Sequence, residues 1–170
     1  MMTQRQTTAR FISICALAAA AALSGCASVQ NAPVTVASAV AQNADLATFY
    51  NLAQQAGLND VLTGAAPVTI FAPTNEAFQG VPAATLDKLA KDPAQLKALL
   101  SYHIIPGNVL AADIKENTTL TTLSGVKLGV SKAGDFVTVD DGMVSEADIK
   151  TSNGIIHKID RVLTPPAPKK

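Results

Sequence analysis

His103 and His157 are the only two imidazoles in the chain, and imidazole is the side chain best suited to move protons near neutral pH and to ligate divalent metals. Joined to a carboxylate such as Asp160 or Asp113, either ring would make an acid/base pair or part of a metal site. Their spacing follows neither pattern, and the competing reading is a ring that bridges partners between a helix layer and a sheet. Thr74-Asn75 offers a hydroxyl and an amide, the types found as nucleophile and oxyanion donor, but the chain has no G-x-S-x-G elbow to present them. Corner and cap roles suffice for both. Asp140 and Asp141 precede Gly142 without the regularly spaced oxygen ligands of a calcium loop and read as a solvated turn. Glycine-rich phosphate loops are absent. No set of nucleophile, base and orienting group can be named, so no cofactor, metal or catalytic residue is expected. A hydrolase or small-molecule carrier using the His103/His157 region stands as the alternative; the carrier would need an apolar cavity.

The elements that must position these residues centre on Val68–Phe78, VTIFAPTNEAF. Val68, Ile70 and Ala72 face one side of a strand, Thr69 and Phe71 the other, and Pro73 stops it. Both faces are largely apolar, which predicts a strand covered on both sides. Thr74 then caps a short helix carrying Glu76, Ala77 and Phe78. Upstream, Leu46, Phe49, Ala53 and Ala56 share a helical face that Gly57 ends, and Leu58 to Leu62 adds a turn. Downstream, Pro82 opens a helix with Leu86, Leu89 and Ala90 inward. Asp92-Pro93 caps another with Leu96, Leu99, Leu100 and His103 at helical spacing. Ile104 and Ile105 start a strand that turns at Pro106-Gly107. From Thr118 the period falls to two: Leu120–Leu123, Val126–Val130 and Phe136–Val139 predict a meander. Asp141-Gly142 and Asn153-Gly154 supply further turns, and Ile155 to Leu163 forms the last strand before Pro165-Pro166. On that strand His157 shares the buried face of Ile155 and Ile159. Helices followed by strands predict an α+β fold.

Arg5 and Arg10 precede an apolar run, Phe11–Leu23, too short for the roughly 20 residues of a membrane-spanning helix. This pattern reads as a secretory signal. Leu23-Ser24-Gly25-Cys26 resembles the bacterial lipobox, in which the cysteine is acylated and becomes the new N-terminus. Residues 1–25 are therefore expected to be the signal peptide, 26–33 a lipidated tether starting at Cys26, 34–166 one domain and 167–170 a tail. Cys15 leaves with the signal, so no disulfide or thiol chemistry is left for the domain. Without Arg5 and Arg10, 11 basic residues face 13 acidic ones, a balance of −2. With so few basic and aromatic residues, nucleic acid is excluded as a partner. Asn117-Thr118-Thr119 matches a glycosylation sequon, which carries little weight behind a bacterial leader.

TIFAPTNEAF, the Tyr102-His103 pair and NGIIHKIDRVLTPP (Asn153 to Pro166) are similar, in that order, to the signatures of fasciclin-like domains, adhesion-type modules of cell surfaces. The resemblance covers about Val34 to Pro166. It implies a wedge of two β-sheets with helices packed at one side. Thr74, Asn75, Phe78, Asn153, Gly154, His157 and Asp160 would be structural signature residues. In animal members a Glu-Pro-Asp-Ile-Met segment before the second signature is assigned to integrin binding, and Glu146-Ala147-Asp148-Ile149-Lys150 occupies its place. Tyr102, His103, Glu146, Asp148 and Ile149 are thus the candidate contact residues, the competing reading of the segment being Ile149 as core and Asp148 as a turn residue. The implied function is a non-catalytic binding module of the cell envelope, outer-membrane, periplasmic or cell-surface, joined to a membrane by its lipid and contacting a protein or glycan.

Overall fold

β1 (Val68–Pro73) is buried along its whole length and lies between β2 (Ile104–Pro106), antiparallel, and β7 (Gly154–Ile159), parallel. The computed structural model describes residues 34–166; the expected signal peptide, Cys26 with its tether, and the tail lie outside the described residues. Beyond β7 the order continues antiparallel through β6 (Gly142–Lys150), β5 (Phe136–Val139), β4 (Lys127–Ala133) and β3 (Thr118–Thr121). The two sheets of the expected wedge share β6. Its first residues pair with β5 and the rest with β7, so hydrogen bonding runs unbroken through seven strands. Just past β3, the Leu123 N–H donates to the Ile104 carbonyl of β2 at 2.7 Å, which nearly closes the sheet on itself. The fold is α+β, with a mixed sheet.

The helices precede β2: α1 (Val36–Gln42), a 3-10 turn (Ala44–Leu46) running into α2 (Ala47–Gln55), α3 (Asn59–Thr63), α4 (Asn75–Gln79), α5 (Ala83–Lys91) and α6 (Pro93–Tyr102). Capping follows the residue types. Thr74 accepts from the Ala77 N–H, and the Asp92 carboxylate accepts from Ala94 and Gln95. Gly57 adopts φ +68°, the left-handed stop that its position after α2 predicts. Strand alternation divides the core in two. Ile70, Ala72 and Ile156 face the helices with Val40, Phe49, Leu62 and Leu100. Phe71 and Ile159 face the inside of the curved sheet with Tyr102, Ile105, Leu128 and Val139.

Four sequence expectations change. α1 was not foreseen, although Thr35 caps it by accepting from Ser38 and Val36 and Val40 fall on its buried face. On α5, Leu86 and Leu89 are half-buried but Ala90 is exposed, because only one edge of that helix meets the core. The last strand ends at Ile159, leaving Val162 and Leu163 beyond it. Glu146 to Lys150, to which the sequence pattern assigns no element, belongs to β6. It lacks alternating apolar residues because pairing with β7, interrupted by register shifts at Val144/Glu146 and Glu146/Ile149, extends it in place of core burial.

Candidate functional site

α6 ends at Tyr102 and delivers two polar side chains into the interior. His103 is fully buried. Its Nε2 accepts the Leu163 N–H at 2.9 Å, so the ring proton is on Nδ1, which donates to the Leu99 carbonyl at 2.8 Å. Burial pushes this imidazole from 6.5 down to about 4, and the Leu99 bond offsets only part of that. The Tyr102 hydroxyl donates to Asp140 Oδ2 at 2.5 Å. Burial, and then that bond and the Asp140 charge, raise the phenol. Asp140 is therefore more than a solvated turn residue: at φ 47° it also accepts the Gly129 N–H. Tyr102 and His103 were expected to contact a partner, and the structure corrects this. Both side chains are at most 1% exposed, because α6 runs directly into the sheet interior.

His157 sits in β7 with the opposite tautomer. Its Nδ1 accepts the Asp148 N–H at 3.2 Å, so Nε2 carries the proton and donates to the Val109 carbonyl at 2.9 Å. Phe71 stacks on the ring with centroids 5.1 Å apart. Burial lowers the imidazole, opposed by the Val109 bond and the Asp148 charge. Asp148 has φ 60°, and its carboxylate accepts the Ala111 N–H at 2.8 Å. Its side chain thus turns toward the 109–111 loop, and Ile149 packs partly against the helix-side core. Both candidate contacts are turned inward, because the bulge aims them there. The residues this segment presents to solvent are Ser145, Glu146, Ala147 and Lys150.

Glu146 is 55% exposed and bonds Lys158 Nζ at 2.8 Å, with Asp45 on the same ammonium at 3.2 Å. Bonding to Glu146, opposed by burial and helped by Asp45, raises Lys158. Strand alternation alone would place Lys158 opposite the buried His157 face, but all of β7 is buried. The signal for this clamp was a charged residue within an otherwise apolar strand. Its acidic partners are remote in sequence and carried no such signal.

The remaining signature residues connect elements. The Asn75 amide donates to the Ala44 carbonyl at 2.7 Å and accepts the Thr48 N–H at 3.0 Å, tying α4 to the start of α2. Asn153 accepts the Val36 N–H and donates to the Leu62 and Gly64 carbonyls. Gly154 is a strand residue, not the second half of a turn. A β-carbon there would stand 2.1 Å from the Val68 carbonyl oxygen, so side-chain absence permits the β1–β7 approach. Asp160 accepts the Met143 N–H at 2.7 Å, Asp113 accepts from Leu110 at 3.2 Å, and Phe78 lies in the helix-side core.

Each histidine has both ring nitrogens engaged, and each contacts its own set of backbone groups. Among the described residues, no three His, Cys, Asp or Glu side chains converge in a metal-binding group. Every buried side-chain nitrogen and oxygen there has a hydrogen-bond partner. A polar depression of about 390 Å³ is lined by Lys127, Asp140, Arg161 and Leu163, over the Tyr102 hydroxyl. What the Glu146–Lys150 strand offers is a surface braced from behind.

Residues 44–165 match the fasciclin domain family. Over 116 residues the chain is 41% identical to transforming growth factor-beta-induced protein ig-h3 of Sus scrofa, covering 68% of this chain and 17% of that protein. Over 137 residues it is 37% identical to the cell surface glycolipoprotein MPB83 of Mycobacterium bovis, covering 78% of this chain and 61% of that protein. The chain thus spans less than two thirds of either relative. A solved FAS1 domain pair from the insect cell adhesion molecule fasciclin I matches with a TM-score of 0.63 at 20% identity, covering 77% of this chain and 51% of that one. At that identity the likeness concerns the fold.

Proposed function

We propose, from the premise that this chain belongs to the fasciclin domain family, that it is a non-catalytic adhesion module of the cell envelope. In this reading it binds a surface protein or glycan and is held to a membrane by a lipid on Cys26. The observation that carries it is the outward strip of β6, Ser145 to Ala147 with Lys150. Lys158 braces this strip through Glu146, and the Asp148–Ala111 and Asp148–His157 bonds hold its bulge. A surface already fixed loses little conformational entropy on docking. The lipobox-like LSGC, together with the name of the mycobacterial glycolipoprotein, supports the anchor. Clustered copies on one membrane would turn weak single contacts into firm attachment.

The test is adhesion of beads displaying the parent chain to envelope extracts, matrix proteins and glycan arrays. Ala147→Arg and Lys150→Glu, both on exposed side chains, should lose adhesion while melting like the parent. Adhesion equal to the parent in both variants removes this strip from the proposal.

A further inference from the structure

We propose that His157 is the positioning residue of the Glu146–Lys150 strip and that its protonation releases the strip, making the bulge of β6 a pH-sensitive element. The consequence for adhesion rests on the contact surface proposed above; the device itself does not.

The geometry is a closed set of bonds. His157 Nδ1 accepts the Asp148 N–H, and the Asp148 carboxylate accepts the Ala111 N–H. The Val109 carbonyl accepts the His157 Nε2–H, and the Val109 N–H donates to Thr69 Oγ, which donates to the Gly107 carbonyl. One neutral ring therefore joins β7, the β6 bulge and the 107–111 loop. A proton added at Nδ1 sets an N–H against the Asp148 N–H, and two donors cannot share that position. The Asp148 carboxylate, whose charge already acts on the ring, is the acceptor that can take the new N–H. The Asp148 N–H is then left without its acceptor, and swinging the carboxylate to the ring strains the Ala111 bond that its Oδ1 accepts, so the bulge loosens.

The charged groups around the ring favour this outcome. β6 contributes the Asp148 carboxylate, and the Asp113 carboxylate caps Leu110 on the loop. From β4 the Lys132 ammonium is engaged by the Ala111 carbonyl, to which it donates at 3.0 Å. Lys158, next in β7, is neutralised by Asp45 and Glu146. β1 offers the uncharged Phe71 face. Among the described residues no carboxylate acts on His103, which has only the Leu99 bond to favour its charged form. His157 thus has a carboxylate beside it that His103 lacks, and the bulge opens while the His103 corner holds.

The experiment follows amide hydrogen exchange and imidazole nitrogen shifts in the isotope-labelled full-length chain, with protons as the only ligand. Through the titration of His157, Asp148 amide protection should fall about tenfold per pH unit after correction for intrinsic exchange. The Leu163 amide, bonded to His103, should lose markedly less protection than Asp148 over that range. His157→Asn places a non-titrating acceptor near Nδ1 and should abolish the Asp148 response. Should that variant not fold, Asp148→Asn removes the carboxylate that receives the new N–H and should move the transition to lower pH. Constant Asp148 protection while His157 titrates overturns the proposal, and so does a loss of the same size at Asp148 and Leu163. A transition that stays where it was in Asp148→Asn does so too. Local release with adhesion unchanged keeps the device and sinks the contact surface.

Discussion

Acid should destabilise this fold through His103, and the size of the effect follows from the site. In the unfolded chain the imidazole titrates near 6.5; in the fold, burial holds it at about 4. The folded state thus binds fewer protons between those values, and stability must fall as pH drops through the window. The contribution is complete above 6.5, declines below it and levels off under about 4. A difference of about 2.5 units, at about 1.36 kcal/mol each, is roughly 3 kcal/mol, a large share of a domain's usual ~5–15. The charged ring is disfavoured twice, by desolvation and because a proton on Nε2 would face the Leu163 N–H. Urea unfolding of the parent and of His103→Gln across this range isolates the contribution, because a Gln amide can donate and accept without titrating. At neutral pH the variant should be less stable, by about 1–3 kcal/mol for imperfectly paired buried groups. That deficit should shrink as pH falls and vanish or reverse near pH 4, with m-values unchanged. A deficit that stays constant or grows on acidification refutes the reasoning.

Gly154→Ala should cost at least about 3 kcal/mol in urea unfolding, since the new methyl group would sit 2.1 Å from the Val68 carbonyl oxygen and 2.9 Å from Val36 Cγ2. Asn153→Ala removes bonds to Val36, Leu62 and Gly64; at about 1 kcal/mol each, a loss near 3 kcal/mol is expected, read as a lowered urea midpoint. Cys26→Ser should move the protein from the membrane to the soluble fraction, because a lipid chain contributes about 0.8 kcal/mol per buried methylene; membrane fractionation equal to the parent would sink the anchor.

Apolar periodicity, caps and turn residues determined the elements that depend on near neighbours. The two apolar faces of VTIFA identified β1 as a buried strand, Thr74 and Asp92 placed helix starts, and Gly57 placed a helix end. These signals act within a few residues, so they are legible one window at a time. Tertiary structure decided what depends on partners far along the chain. β6 became a strand only because β7 paired with it, which turned Asp148 and Ile149 inward and left Ala147 and Lys150 outside. The two histidines look equivalent in sequence and hold opposite tautomers, set by the Leu163 and Asp148 N–H groups. Asn153 and Gly154 read locally as a turn. In space the first reaches Val36 across 117 positions, and the second clears the backbone of β1. Propensity is a property of a short window, whereas these roles arise from excluded volume and hydrogen-bond pairing between segments that meet only when the chain is folded.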